Sequence, residues 1–290
     1  MKRLFCFGLG YSALALADTL LAEGWAVAGT CRSEEKRARL DARGIGAHLF
    51  KDRRPAVDPS VLATATHILS SVPPDKGGDP VLAALGTDIA TIPGLDWVGY
   101  LSTTGVYGDR DGGWVDEDAE RRPTGERSRR RMAAEDGWLD LWHDHRVPVH
   151  LFRLAGIYGP GRNQLGAVRA RTAQRIDKPG QVFSRIHVAD IITVLRASMT
   201  RPQPGTPYNV CDDEPAPPPE VTEYACQLMA VEPPPLVPFA TAALSDMARS
   251  FYADNKRVCN RRIKDRLGVR LQYPNYRAGL SALAAAQETS

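Results

Sequence analysis

The sequence predicts an α/β fold, a doubly wound parallel sheet with a smaller region toward the C-terminus, and three observations carry that expectation. Short apolar runs alternate with amphipathic stretches through the first half, a glycine turn joins the first run to the first such stretch, and proline-dense segments replace the alternation beyond residue 200. Leu4 to Phe7 is an apolar run ending at glycine and reads as a buried strand. Ala13, Leu16, Ala17, Leu20 and Leu21 then follow the i, i+3, i+4, i+7, i+8 spacing of one helical face that stops at Gly24. Trp25 to Thr30 is a second strand, and Ser33 is placed to cap a polar helix running to about Ala42. Ala47 to Phe50, Thr66 to Ser70, Trp97 to Leu101 and Val147 to Leu154 are further strands. Apolar runs of this kind belong to a parallel sheet covered on both faces.

Proline is dense between Pro202 and Pro219 and again from Pro233 to Pro238. Glu220 to Met229 reads as a helix with a proline-rich lead-in, and Asn260 to Leu267 and Asn275 to Ala286 as two more. Tyr208, Val210, Leu228, Leu236, Phe239 and Leu280 supply apolar anchors, so this stretch is expected to be a smaller, irregular folded region.

The 290 residues are 43% hydrophobic and 24% charged, the balance of an ordinary soluble domain with a sizeable core. No apolar run approaches the roughly 18 residues of a spanning helix. The run after Met1-Lys2-Arg3 is short and ends at Gly8 and Gly10, a poor signal peptide, so a cytoplasmic protein with no membrane partner is expected. Cys6, Cys31, Cys211, Cys226 and Cys259 are odd in number and include no C-x-x-C pair, which favours buried reduced thiols over disulfides or zinc. The formal net charge of +3 argues little for nucleic acid. Arg121, Arg122, Arg127, Arg129, Arg130 and Arg131 do cluster, but Asp116, Glu117, Asp118, Glu120, Glu126, Glu135 and Asp136 surround them, as on a salt-bridged surface helix. No nucleic-acid partner is expected. His143-Asp144-His145 lacks a fourth ligand and suits a helix C-terminus better than a metal.

The turn Gly8-Leu9-Gly10-Tyr11-Ser12-Ala13 has the context that gives a glycine fingerprint force: strand before, amphipathic helix after, second strand next. This is the Rossmann arrangement. Gly8 permits the tight turn, Gly10 lets a pyrophosphate approach the backbone, and Ala13 keeps helix close to strand. The phosphates would meet the N–H groups and positive dipole end of the helix. An NAD site usually has Asp or Glu after the second strand, whereas this chain has Thr30-Cys31-Arg32-Ser33. A guanidinium suits a 2′-phosphate, so NADP(H) is favoured over NAD(H), with Glu34 and Glu35 as the alternative NAD ligands. The expected division is an NADP(H)-binding Rossmann domain over 1–160, then a mostly substrate-binding region over 161–290 with some chain returning to the first.

Three further segments follow in order: Leu101-Ser102-Thr103-Thr104-Gly105-Val106-Tyr107-Gly108, Arg153-Leu154-Ala155-Gly156-Ile157-Tyr158-Gly159-Pro160-Gly161, and Arg185-Ile186-His187-Val188-Ala189-Asp190. With the glycine turn they resemble the atypical extended short-chain dehydrogenase/reductases, the NAD-dependent epimerase/dehydratase family. The resemblance spans about Lys2 to Asn209 and continues more loosely through Asn255-Lys256-Arg257-Val258 and Tyr273-Pro274. It implies cofactor contacts at Gly8, Gly10, Tyr11, Ser12, Ala13, Arg32, Arg131, Ala155, Gly156 and Ile157, and substrate contacts at Thr103, Tyr158 and His187. It also implies a catalytic Ser/Thr, matched by Thr103, and a Tyr-x-x-x-Lys pair whose slots here hold Arg127 and Arg131.

Arginine stays protonated to above pH 12, so it does no general acid–base work near neutrality. Arg131 can still do the electrostatic part of a lysine's task; Arg127 cannot transfer the tyrosine's proton. Tyr107 and Tyr158 are the substitute phenols, and Tyr107 joins Thr103 and Arg131 as a catalytic candidate. His187 is expected as a core or capping residue beside the substrate. Sugar-nucleotide enzymes of this family carry a phosphate-binding Arg where this chain has Phe183, which argues against such a substrate. Two functions follow: an NADP(H)-dependent oxidoreductase or epimerase on a small carbonyl or hydroxyl substrate, or a non-catalytic NADP(H)-binding regulator. A homodimer is compatible with either.

Overall fold

Residues 1–288 are described in a computed structural model of the chain. β1 (Arg3–Phe7) is buried from Leu4 onward, and α1 (Tyr11–Ala22) buries Ser12, Ala13, Leu16, Ala17 and Leu20, the face its spacing predicts. β2 (Ala26–Cys31) leads into α2 (Glu34–Asp41), whose cap is Ser33 accepting from the N–H of Lys36 at 3.3 Å. β3 (Gly46–Lys51) and β4 (Arg54–Ala56) form an antiparallel hairpin turning at Asp52 and Arg53, both at positive φ. Next come α3 (Pro59–Ala63), β5 (His67–Ser70), α4 (Pro80–Ala90) and β6 (Trp97–Thr103). The carboxylate of Asp79 caps α4 and also accepts from Trp138 Nε1 at 3.0 Å.

The chain continues through β7 (Trp114–Val115), α5 (Glu126–His145), β8 (Val149–Leu154), β9 (Gly156–Tyr158) and α6 (Gln164–Arg169). β10 (Arg175–Asp177), β11 (Arg185–His187), α7 (Val188–Thr200) and β12 (Pro207–Val210) follow. Last are α8 (Pro218–Leu228), β13 (Leu236–Pro238), α9 (Asp246–Phe251), β14 (Arg257–Val258), α10 (Arg261–Leu267) and α11 (Tyr276–Glu288).

Eight strands make the main sheet in the order β12-β8-β6-β5-β1-β2-β3-β4. The pairs β1–β2, β1–β5, β2–β3 and β5–β6 are parallel. Strand order reverses at β1, and the crevice outside the carboxyl ends of the strands at such a point is where open α/β sheets bind ligands. This is the Rossmann-type α/β fold the sequence predicts.

The described residues form two units: 1–103, 126–153 and 194–208 in the first, and 104–125, 154–193 and 209–288 in the second. In the first, Phe5, Phe7, Ile68, Val98, Tyr100, Trp138 and Leu151 pack in one core. The second centres on Tyr158, Leu165, Val221, Ala225, Tyr276 and Leu280. Its strands are two- and three-residue parallel pairs, β9–β11, β10–β13 and β7–β14. Segments so short carry no periodicity, and their partners lie far away in sequence, so the sequence gives no sign of them.

A buried charge cluster ties the first unit together. Glu135 on α5 is fully buried and Arg153 on β8 is 4% exposed. The carboxylate accepts from Arg153 Nε at 3.0 Å and Nη2 at 2.8 Å, and also from the Ser102 hydroxyl on β6. A forked pair of this kind gives orientation as well as attraction, and the extra hydroxyl offsets part of the desolvation cost. Removing one partner strands a buried charge. Glu135→Ala should therefore lower unfolding stability by about 3–5 kcal/mol. The paired change Glu135→Met with Arg153→Met should cost clearly less, as urea denaturation will show.

Candidate functional site

The glycine turn is fixed by bonds from two neighbouring segments. Gly8 sits at φ +81°, and a Cβ there would lie 3.1 Å from both Ser71 Oγ and Val72 Cγ2. Its N–H donates to Thr30 Oγ1 at 2.8 Å, the N–H of Leu9 donates to Thr30 O at 2.8 Å, and the Ser71 hydroxyl donates to Gly8 O. Thr30 is buried, so the turn is anchored on β2 and on the residue following β5.

Gly10 is the N-cap of α1, with no side-chain cap and no acidic residue in the first turn. A Cβ on Gly10 would meet only Gly8 O, at 4.0 Å. The space in front of the helix is open, and the helix N-terminus offers N–H groups and a positive dipole end. Tyr11 is half-buried, Ser12 mostly buried and Ala13 fully buried, so Ala13 serves packing as the motif requires.

One cation touches this turn and another follows the strand that anchors it. Arg32 is exposed and makes no hydrogen bond or ion pair among the described residues. Lys36, half-buried on α2, sets its ammonium 2.6 Å from Leu9 O. No motif in the sequence singles out Lys36. The available signal was its place in the first turn of the helix that Ser33 caps, just after the second strand. The two carboxylates offered as NAD ligands run along α2 instead, Glu34 to Arg37 at 2.9 Å and Glu35 to Arg39 at 3.4 Å. An uncapped helix end, room at Gly10 and the Lys36 ammonium against Leu9 fit a dinucleotide's diphosphate.

Thr103 ends β6 and is half-buried. Close by in the chain's first unit, Arg131 Nη1 donates to Leu101 O at 2.8 Å and Tyr100 Oη at 3.1 Å, and its guanidinium lies 5.5 Å from the Tyr100 ring centre. Arg131 is thus held against β6, where it can present positive charge. Arg127 is exposed, with no described partner. Arg129 and Arg130 pair with Glu126 at 3.4 and 3.0 Å on α5, and Arg122 pairs with Glu120 in the segment before it, so much of the arginine cluster is salt-bridged.

The remaining candidates lie in the second unit. Tyr107 is fully buried and donates its hydroxyl to Asn209 Oδ1 at 2.7 Å, so the structure makes it a core residue rather than a poised acid. Ala155 and Gly156 donate their N–H groups to Val210 O and Ser184 O, both at 3.1 Å, while Gly156 remains exposed and Ile157 half-buried. Ile157 is in register with Ile186, which brings Tyr158 and His187 opposite each other. Their rings meet edge-on with centres 5.1 Å apart. Tyr158 is 8% exposed, and burial pushes its hydroxyl well above the usual phenol range. His187 Nδ1 accepts from the N–H of Ala189 at 3.2 Å, capping α7, while Nε2 is buried without a partner. The ring is thus buried and caps α7. Among the described residues, no three His, Cys, Asp or Glu side chains gather as a metal site, and no helix is long and apolar enough to cross a membrane.

No protein-family model matches the chain. Protein YeeZ of Escherichia coli K12 is 28% identical over 289 residues, covering 95% of this chain and 97% of that one. A conserved protein of unknown function from Silicibacter pomeroyi, of known structure, is 52% identical with a TM-score of 0.90, over 99% of this chain and all of that one. This chain belongs to the same family as that protein. The dTDP-glucose 4,6-dehydratase of Bacillus anthracis, solved with NAD, is 14% identical with a TM-score of 0.76, over all of this chain and 97% of that one. The fold is that of the extended short-chain dehydrogenase/reductases, the epimerase/dehydratase group that the motifs resemble.

Burial lowers the pKa of His187 to about 4, and does the same to His67 and His150. Each folded-state value lies below the ~6.5 of an unfolded histidine. Their contribution to stability is thus complete above about pH 6.5 and lost as pH falls toward 4. Imidazole resonances of these three residues should stay unprotonated from pH 8 to 5.5, and the urea midpoint should drop between pH 6.5 and 4.5.

Proposed function

We propose that this chain binds NADP(H) at the Gly8–Ala13 turn and acts as an oxidoreductase or epimerase on a small carbonyl or hydroxyl substrate. The observation that carries the reading is the uncapped N-terminus of α1, with room for a side chain at Gly10, Lys36 held against Leu9 and Arg32 next after β2. Gly10, Tyr11 and Ser12 would hold the pyrophosphate, and Ala13 the helix behind it. Arg32 would meet the 2′-phosphate, with Lys36 adding charge beside it. The fold shared with an NAD-bound dehydratase supports a nicotinamide dinucleotide as the ligand. When bound, such a cofactor supplies two-electron transfer as hydride. Thr103 would hydrogen-bond the reacting oxygen, and Arg131, tied to β6, would supply positive charge near it.

A second reading rests on the family's catalytic slots. Both slots hold arginine, a residue type that does no general acid–base work, with Arg127 exposed and Arg131 bonded to the main chain. That favours a protein that binds the cofactor without turning it over. Titration with NADPH and NADH tests the binding claim shared by both. NADPH should bind more tightly, and Arg32→Asp should weaken it about 10- to 100-fold, the loss of charge-assisted hydrogen bonds. Equal affinity for the two cofactors in the parent chain would overturn the NADP(H) assignment. A panel of carbonyl substrates then separates the readings: turnover of NADPH by the unmodified protein supports the enzyme, and tight binding without turnover supports the regulator.

A further inference from the structure

The second unit contains a cavity of about 210 Å³ with an apolar wall formed by Ile157, Val221 and Leu280. Arg162, Gln164, Arg185 and Tyr276 are among its polar lining, and no carboxylate belongs to it. We propose that this cavity binds a small carboxylic acid anion with an apolar body, its carboxylate held by Arg185 and Tyr276.

Arg185 is held from one side only. Its Nη1 donates to Phe183 O at 2.7 Å and Ala216 O at 3.1 Å, which fixes the plane of the guanidinium. Nε and Nη2 have no hydrogen-bond partner among the described residues. Those two groups form one edge of a planar fork, the edge that takes both oxygens of a carboxylate. Carbonyl partners leave the positive charge uncancelled. The carboxyl acting on it electrostatically is Asp212, which is 1% exposed and makes no ion pair with it. Burial pushes the Asp212 pKa up to about 8, against the pull of the Arg185 charge.

Tyr276 gives an independent indication. It is 1% exposed, yet its hydroxyl has no hydrogen-bond partner. Buried side-chain polar atoms are satisfied in the large majority of cases, so an unpartnered hydroxyl on a residue that lines the cavity is a donor awaiting an acceptor. Exposed Arg162 adds a second positive charge to the lining. The apolar wall asks for more than a bare inorganic anion. The size sets an upper limit, because sites for larger organic ligands occupy about 300–1,000 Å³. A short acyl or aromatic acid fits all three demands.

Calorimetric titration of the full chain with hexanoate and benzoate tests this, with hexanamide and benzamide as neutral counterparts and inorganic phosphate as a bare anion. At least one carboxylate should saturate a single site, at tenfold or more higher affinity than its amide. Tyr276→Phe, the removal of one oxygen, should weaken that binding about tenfold, the value of one hydrogen bond to a charged acceptor. Leu280→Trp should abolish it by filling the cavity, with cooperative thermal unfolding as the check on folding. Amide binding equal to acid binding, full affinity in Tyr276→Phe or in folded Leu280→Trp, or absence of carboxylate binding would each overturn the proposal. Phosphate binding as tightly as the acids would overturn it too. NADPH titrated into the same parent protein reports the Arg32 and Lys36 site separately, so failure of the cofactor reading and failure of this one are distinguishable.

Discussion

The first unit depends on a carboxylate and a guanidinium buried together, Glu135 against Arg153, with the Ser102 hydroxyl as third member. The three residues come from α5, β8 and β6, so one bond set fixes a helix on two strands of the sheet. Apolar packing alone would leave α5 free to shift by small amounts, because dispersion contacts have little direction. A forked ion pair allows much less freedom. Arg131 lies one helical turn before Glu135 on α5, and its own bonds to Tyr100 and Leu101 follow from that placement. The position of the charge that the proposed chemistry uses is thus set by a neighbouring residue with no part in the chemistry.

A parallel economy governs the glycine turn. Its conformation needs glycine at Gly8, but its position comes from Thr30, which accepts from Gly8 with its hydroxyl and from Leu9 with its carbonyl. The same strand then ends in Cys31 and presents Arg32. Register of β2 beside β1 therefore couples the shape of the phosphate turn to the place of the cation beside it. A slip of one residue would reverse the faces and break both.

The two units differ in how openly the sequence states them. In the first, strands of four to seven residues and a helix with a clear apolar face announce themselves, and β1, α1, β2, β5 and β6 lie within a few residues of expectation. In the second, the proline-led α8 and the terminal α10 and α11 are legible, whereas β7, β9, β10, β11, β13 and β14 are not. Those strands exist because distant segments meet, and no local preference encodes them. Tyr107 shows the same limit at a single residue. Its motif suggested a phenol near the chemistry, and only packing reveals that Asn209 takes its hydroxyl.

The sequence by itself determined the α/β class, the glycine turn with its uncapped helix, the basic residue after the second strand and the arginines in the catalytic slots. These are local properties, set by spacing, by the absence of a side chain or by the identity of one residue. Tertiary structure decided which charges are neutralised and which are left over. Folding brought Lys36 to Leu9, turned Glu34 and Glu35 along their own helix, matched Glu135 to Arg153, and left an edge of Arg185 and the hydroxyl of Tyr276 without partners in a cavity wall. Pairing and burial are relations between residues far apart in the chain, and burial decides whether a charge or hydroxyl is satisfied by water or must find its partner within the protein or in a ligand.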